Sequence, residues 1–172
     1  MKLRMLEAKD APFILEWMKD PSVNCFFRFD PEKITEQSVT EFIQSAQDSA
    51  VDLHLACVND NDEYLGTVSL KHMDKSASTA EYAISFRQSA QGTGAARYAT
   101  SEIIKMAFES LGLNRIYLNV LADNVHAIRF YEKLGFQYEG TFKKHLCIRG
   151  KYKDLKWFAI LKEDYDGCHE KG

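Results

Sequence analysis

The chain has 172 residues, 45% apolar and 27% charged, the proportions of one soluble globular domain long enough to bury a core without staples. Its 22 basic and 25 acidic residues leave a formal charge of −3, which excludes a general nucleic-acid binder, because phosphate affinity needs a basic surface. No apolar run approaches the roughly 20 residues that cross a bilayer. The start Met1-Lys2-Leu3-Arg4 turns charged too early for a signal peptide, so the expected location is the cytoplasm.

The 3 prolines and 9 glycines are scattered, and neither a repeat nor a linker divides the chain, so residues 1–172 are expected to form a single domain. In chain order, residues 3–6 read as a short strand. Asp10 is placed as an N-cap, Pro12 in the first turn, and Phe13, Ile14, Trp17 and Met18 recur at helical spacing. Asp20-Pro21 stops that helix. The aromatic stretch 23–29 shows no settled period. Thr35 caps a second helix with Val39, Phe42, Ile43 and Ala46 on one face.

The period then shortens to two. Residues 53–58 read as a strand, 59–62 as a turn and 64–70 as the returning strand of a hairpin. Residues 80–86 form a further strand, followed by a loop from Arg87 to Gly94. Ala95, Ala99, Ile103, Met106 and Ala107 stripe a long helix that Gly112 terminates. Residues 116–121 are the next strand. Asp123 or Asn124 caps a helix bearing Ala127, Ile128, Tyr131 and Leu134, closed by Gly135. Strands at about 136–143 and 154–161 flank the turn around Gly150. This order gives an α/β or α+β fold, a mixed and mostly antiparallel sheet of about seven strands with about four helices.

Cys25, Cys57, Cys147 and Cys168 form no Cys-x-x-Cys pair, and the first three stand among apolar neighbours. They are read as reduced core cysteines, with no metal site.

Two constellations carry chemistry. Gln91-Gly92-Thr93-Gly94-Ala95-Ala96 lies between a strand end and a helix start, where unpaired N–H groups and the helix dipole attract an anion such as a pyrophosphate. It lacks the Gly-Lys-Ser/Thr of a Walker loop, and Arg97 stands where a dinucleotide loop needs a third small residue. The second is Asn124-x-x-Ala127-x-x-x-Tyr131-x-x-x-Gly135-Phe136, which lines up Asn124, Ala127 or Ile128, and Tyr131 on one helix face. The small Ala127 lets a linear ligand pass close by.

Together these stretches resemble the GNAT N-acetyltransferases. Gln91-x-x-Gly94-x-Ala96 is similar to that family's acetyl-CoA pyrophosphate loop, and 124–136 to its second motif. The C-terminal half, with the Gly140 segment and Arg149-Gly150-Lys151-Tyr152, resembles the branch of spermidine and ribosomal-protein alanine acetyltransferases. The resemblance implies that Gln91, Gly92, Thr93, Gly94, Ala95 and Ala96 hold the pyrophosphate, while the backbone of Ile84, Ser85 and Phe86 pairs with the pantetheine arm. A free N–H near Ile84 or Ser85 would stabilise an oxyanion. Asn124 and Ala127 would flank the arm, and Tyr131 would be the general acid. Glu81 matches a glutamate of this branch and would take the proton of the amine or orient it; Asp74 and Glu63 are less well placed.

The implied activity is acetyl transfer from acetyl-CoA to a primary amine. No histidine of the set His54, His72, His126, His145 and His169 is paired with a Ser or Cys motif, so direct transfer suits the chain better than an acyl-enzyme. The acceptor reads as a small molecule. Trp17, Phe26, Phe27, Phe29, Asp30 and Glu32 read first as core aromatics and a solvated helix face; as the frame of an amine site instead, Asp30, Glu32, Glu36 and Glu41 would favour a polyamine and Arg28, Lys33 and Arg149 a nucleotide-linked amino sugar. A ribosomal-protein N-terminus and a non-catalytic acetyl-CoA-binding module are the alternatives, and the C-terminal strands are where a homodimer would form.

Overall fold

The computed structural model describes residues 1–169, with side chains to Tyr165. The expectations for Cys168 and His169 lie outside the described side chains. Seven strands are present: β1 Lys2–Met5, β2 Leu53–Val58, β3 Tyr64–Asp74, β4 Thr79–Phe86, β5 Arg115–Leu121, β6 Gln137–Ile148 and β7 Lys151–Leu161. They join in the order β1-β2-β3-β4-β5-β7-β6. The pairs β1–β2, β2–β3, β5–β7 and β6–β7 are antiparallel and β4–β5 is parallel, so the mixed, mostly antiparallel sheet is as expected. Six α-helices are described: α1 Ala11–Lys19, α2 Pro21–Asn24, α3 Glu36–Gln47, α4 Ala95–Lys105, α5 Val125–Lys133 and α6 Lys162–His169. Two exceed the expected four: α2 is a single turn begun by Pro21, and α6 lacks an apolar stripe in the sequence. No described helix is long and apolar enough to cross a membrane.

The chain divides into two compact units, residues 1–72 with 82–104, and residues 73–81 with 105–172. The boundary cuts β4 between Glu81 and Tyr82. Up to that point β4 is registered with β5, as Thr79↔Arg115, Ala80↔Ile116 and Glu81↔Tyr117.

The core of the first unit gathers Leu6, Ile14, Trp17, Val39, Ile43, Val58 and Tyr64. The α3 periodicity puts Val39, Ile43 and Ala46 inside, and Thr35 caps the helix by accepting from Ser38 N–H, as the sequence predicts. Asp10 departs from expectation. It precedes α1 but makes no side-chain cap bond. Its buried carboxylate takes two hydrogen bonds from the Arg4 guanidinium, at 2.7 and 2.8 Å, and one from Glu7 N–H. A bidentate charged partner outcompetes a helix end for the same oxygens.

In the second unit, α4 runs on as a π turn, Met106–Ser110, before Gly112 at φ +67° ends it. Leu121, Ile148 and Leu155 form a small cluster with Leu146 and Trp157 packed on it. β6 and β7 are longer than expected and carry two register shifts, between Tyr138 and Gly140 and between Phe142 and Leu146. β6 is the terminal strand and exposes most of its side chains, which corrects the expectation for Cys147: it is exposed, as is Cys25 beside α2, and Cys57 alone of the three is buried. All three are free thiols, and burial pushes Cys57 up to about 11.

Candidate active site

In the first unit, the 3-10 turn Gln88–Ala90 leads into the glycine-bearing loop and then α4. Gly92 and Gly94 sit at φ +76° and +84°, where an L side chain is strained. A Cβ at either would meet nothing within 4 Å, so the space over the loop is open. Thr93 folds inward: its hydroxyl donates to the Ala90 carbonyl at 2.7 Å and accepts from Ala95 N–H at 3.3 Å. The first helical bond is Tyr98 N–H to the Gly94 carbonyl. The N–H groups of Ala96 and Arg97 therefore have no carbonyl one turn back. Exposed Gln91, Gly92 and Gly94 above buried Ala95 and half-buried Ala96 form a concave backbone surface suited to an anion.

The end of the strand before this loop is fixed by two successive residues. The Phe86 ring lies over Gly66 of β3, where a built Cβ would come within 2.4 Å of the ring. Phe86 is thus core by its side chain. Arg87, the next residue, donates to Glu16 twice, to Glu63 and to the Tyr64 carbonyl, and lies over the Phe13 ring. These ion pairs raise the guanidinium pKa, Glu16 foremost. Glu63 is thereby taken up in a structural pair, and Asp74 caps the turn at Ser76 and Ala77. Sequence reasoning missed both Gly66 and Arg87.

The first unit also holds a cavity of about 350 Å³. Ile14, Trp17 and Met18 of α1, Ile34, and Val39 and Phe42 of α3 give it apolar walls. Its sheet side consists of His54, Thr67 and Ser69, and then Ala83, Ile84 and Ser85 of β4. His54 and Ser69 are register partners across β2 and β3, and His54 Nδ1 lies 2.7 Å from Ser69 Oγ. This corrects the expectation that no histidine is paired with a serine: the partners are 15 residues apart and meet through strand register. Burial lowers the His54 pKa, with Asp52 opposing and Lys71 adding to the shift.

Of the aromatics expected to frame an acceptor, Trp17 lines this cavity. Phe27 packs tilted and Phe29 edge-on against Trp17, with ring centroids 5.5 and 6.3 Å away, and Phe26 is exposed. The expected carboxylates lie elsewhere. Asp30 caps the turn at Glu32 and Glu41 accepts from Gln37, and neither lines the cavity; nor do Glu32 and Glu36.

The second unit brings together Glu81, Tyr117 and Asn119. Glu81 is half-buried, and its Oε1 accepts from Asn119 Nδ2 at 3.3 Å. Burial first, and then the Glu81 charge, raise the Tyr117 phenol. The i, i+2 spacing of Tyr117 and Asn119 on β5 was the signal for this grouping. Asn124 caps α5 by accepting from Ala127 N–H at 3.2 Å, so its Oδ1 is engaged and its amide N–H groups remain as donors. Ala127 is half-buried. Tyr131 is buried, with Phe130 and Phe136 rings 5.5 and 6.0 Å away. Burial pushes its phenol up to about 12.

Among the described residues, no three His, Cys, Asp or Glu side chains gather as a metal site.

A family model described as an acetyltransferase (GNAT) domain matches residues 1–137. Spermidine N(1)-acetyltransferase of Vibrio cholerae is 27% identical over 165 residues, covering 96% of this chain and 95% of that protein. The uncharacterized N-acetyltransferase p20 of Bacillus licheniformis is 28% identical over 171 residues, covering 97% and 96%. A crystal structure of the Vibrio cholerae spermidine N-acetyltransferase with CoA and spermine superposes at a TM-score of 0.88, with 26% identity and coverage of 95% and 96%.

Proposed function

The chain belongs to the GNAT acetyltransferase family, and from that premise we propose that it acetylates a primary amine of a small molecule by direct transfer, as one domain of residues 1–172. It is an acyltransferase whose cosubstrate is acetyl-CoA. The observation that carries the reading is the turn at the start of α4. Two positive-φ glycines on either side of Thr93, open space above both, and first-turn N–H groups with no carbonyl one turn back support a pyrophosphate there.

When bound, acetyl-CoA supplies an acyl group already activated as a thioester. The N–H groups of 91–96 bind its pyrophosphate, and the backbone of 84–86 orients its arm as an added strand would. The Asn124 amide donates to the same arm beside Ala127. Glu81, held by Asn119, takes a proton from the incoming ammonium, directly or through water. Tyr131, with a phenol near 12, keeps its proton throughout the working range and donates it toward the leaving sulfur. Because a free thiol titrates near 8.5, full transfer from the phenol is uphill, and its contribution rests on hydrogen bonding as charge develops. The proposed transfer uses no metal. Relatives named for spermidine support a polyamine as one candidate acceptor, beside an amino sugar and, as the alternative, a ribosomal-protein N-terminus.

The test is thiol release from acetyl-CoA against an amine panel, with Tyr131→Phe alongside. Amine-dependent release that drops in the variant supports the enzyme. CoA binding without amine-dependent release would make the chain a binding module instead.

A further inference from the structure

From the cavity in the first unit we infer that the acceptor is recognised by an apolar stem rather than by a second charge, so that aliphatic and aryl-alkyl monoamines are acceptors at least as good as polyamines. The inference rests on the acetyltransferase reading and names the substrate class of its acceptor site.

The chemistry of the walls carries it. At about 350 Å³, the cavity falls in the range of small-molecule sites. Among the described residues, no carboxylate and no cation lines it. The polar groups of Trp17, Ser38, His54, Thr67 and Ser69 already have partners. The Thr67 hydroxyl pairs with Tyr64 Oη at 2.7 Å, and Tyr64 Oη also takes the Trp17 indole N–H. His54 is closed on Ser69, and Ser38 on Thr35. What remains toward the interior is hydrocarbon: Ile14, Met18, Ile34, Val39 and Phe42.

An ammonium drawn into such a place loses its hydration with no partner in return, a cost a second buried cation cannot recover. Asp52 and Lys71, the charges that act on His54, oppose each other and do not line the cavity. A methylene stem, by contrast, gains from every carbon it buries.

The cavity's reach sets the stem length. Its sheet side crosses from β2 through β3 to β4, two strand spacings or about 10 Å, roughly a six-carbon chain. Ala83, Ile84 and Ser85 bound the β4 side, the strand whose backbone is proposed to present the acetyl arm. The amine therefore reacts at the β4 side, and the stem points toward His54.

The experiment uses the full chain with acetyl-CoA and measures kcat/KM for propyl-, butyl-, pentyl- and hexylamine, phenethylamine, 1,6-diaminohexane and spermidine. The expected result is a rise of about fourfold per added methylene, the increment of a buried CH2 group. Hexylamine should exceed 1,6-diaminohexane by at least about tenfold, the second ammonium having no counter-charge. In Ser38→Asp, which adds a carboxylate to the wall, that preference should shrink toward parity. A titration of Trp17 fluorescence with hexylamine in Trp157→Phe, without acetyl-CoA, should show saturable binding that shorter amines lack.

A flat chain-length series, or acceptance of polycations alone, overturns the inference and leaves the acetyltransferase reading standing. Failure of every amine to release thiol, with CoA still bound, overturns both.

Discussion

Arg87 and Glu16, 71 residues apart, meet through two parallel hydrogen bonds, Nε to Oε1 at 2.9 Å and Nη2 to Oε2 at 2.8 Å. The pair ties α1 to the residue that opens the loop proposed to hold the pyrophosphate. Arg87 is 12% exposed and also serves Glu63 and the Tyr64 carbonyl, while Glu16 is 48% exposed. The two ends of the bond are therefore unequal. Arg87→Ala is expected to cost about 1–3 kcal/mol by urea denaturation, since it strands several acceptors. Glu16→Gln should cost less than about 1 kcal/mol. Equal losses would show that Arg87 has no role beyond that ion pair.

Gly66 is required by a neighbour, since its φ is ordinary and its hydrogen is what Phe86 packs on. Gly66→Ala forces the ring to move, at an overpacking cost of about 1–3 kcal/mol. Because Phe86 ends β4, the same variant should raise the Kd for CoA. Double substitution with Phe86→Leu should recover part of both losses, and a simple sum of the two single effects would argue that they do not touch.

Gly94 presents the opposite case, open space but φ +84°. Gly94→Val should leave the unfolding free energy from urea denaturation within about 1–2 kcal/mol, the strain of a left-handed residue, yet weaken CoA by tenfold or more in calorimetry. Unchanged CoA affinity would remove the pyrophosphate from this turn.

Features written in adjacent residues were legible from the sequence. The Thr35 cap, the 53–70 hairpin, the Gln91–Ala96 turn and the Asn124 cap each depend on residues within a few positions. Features made by register or by competition were not. Asp10 reads as a cap until Arg4 takes its oxygens. His54 and Ser69 meet because β2 and β3 pair as they do, and Glu81 finds Asn119 on the next strand. Cys147 has apolar neighbours, but they lie on a strand open to solvent on most positions. The surroundings of the acidic residues near the aromatic stretch were equally hidden: Asp30 caps a turn and Glu41 pairs along α3.

Glu81 is held by Asn119 and faces a raised Tyr117 phenol. In its proposed role of taking the ammonium proton, it is needed most where the amine is most protonated. Glu81→Gln should therefore lower kcat/KM chiefly below the pH optimum, with the two profiles converging as pH approaches the amine pKa of about 10. A uniform loss at every pH would assign Glu81 to structure.

His54 links the cavity of the first unit to stability. Burial depresses its pKa, Asp52 pulls it up and Lys71 down, while Phe42 of α3 and the cavity walls bring no charge. In the unfolded chain the ring protonates near 6.5, and in the folded chain only at lower pH. Between those two values the unfolded state binds more protons, so stability rises with pH across that window. The contribution is fully present above about pH 6.5 and is lost as pH falls through the folded value. His54→Gln keeps a polar partner for Ser69 but cannot titrate. Urea midpoints from pH 7.5 to 5 should fall more steeply for the wild type than for the variant. Parallel curves would mean that the ring charges as easily folded as unfolded, and that the cavity wall is wetter than its lining residues imply.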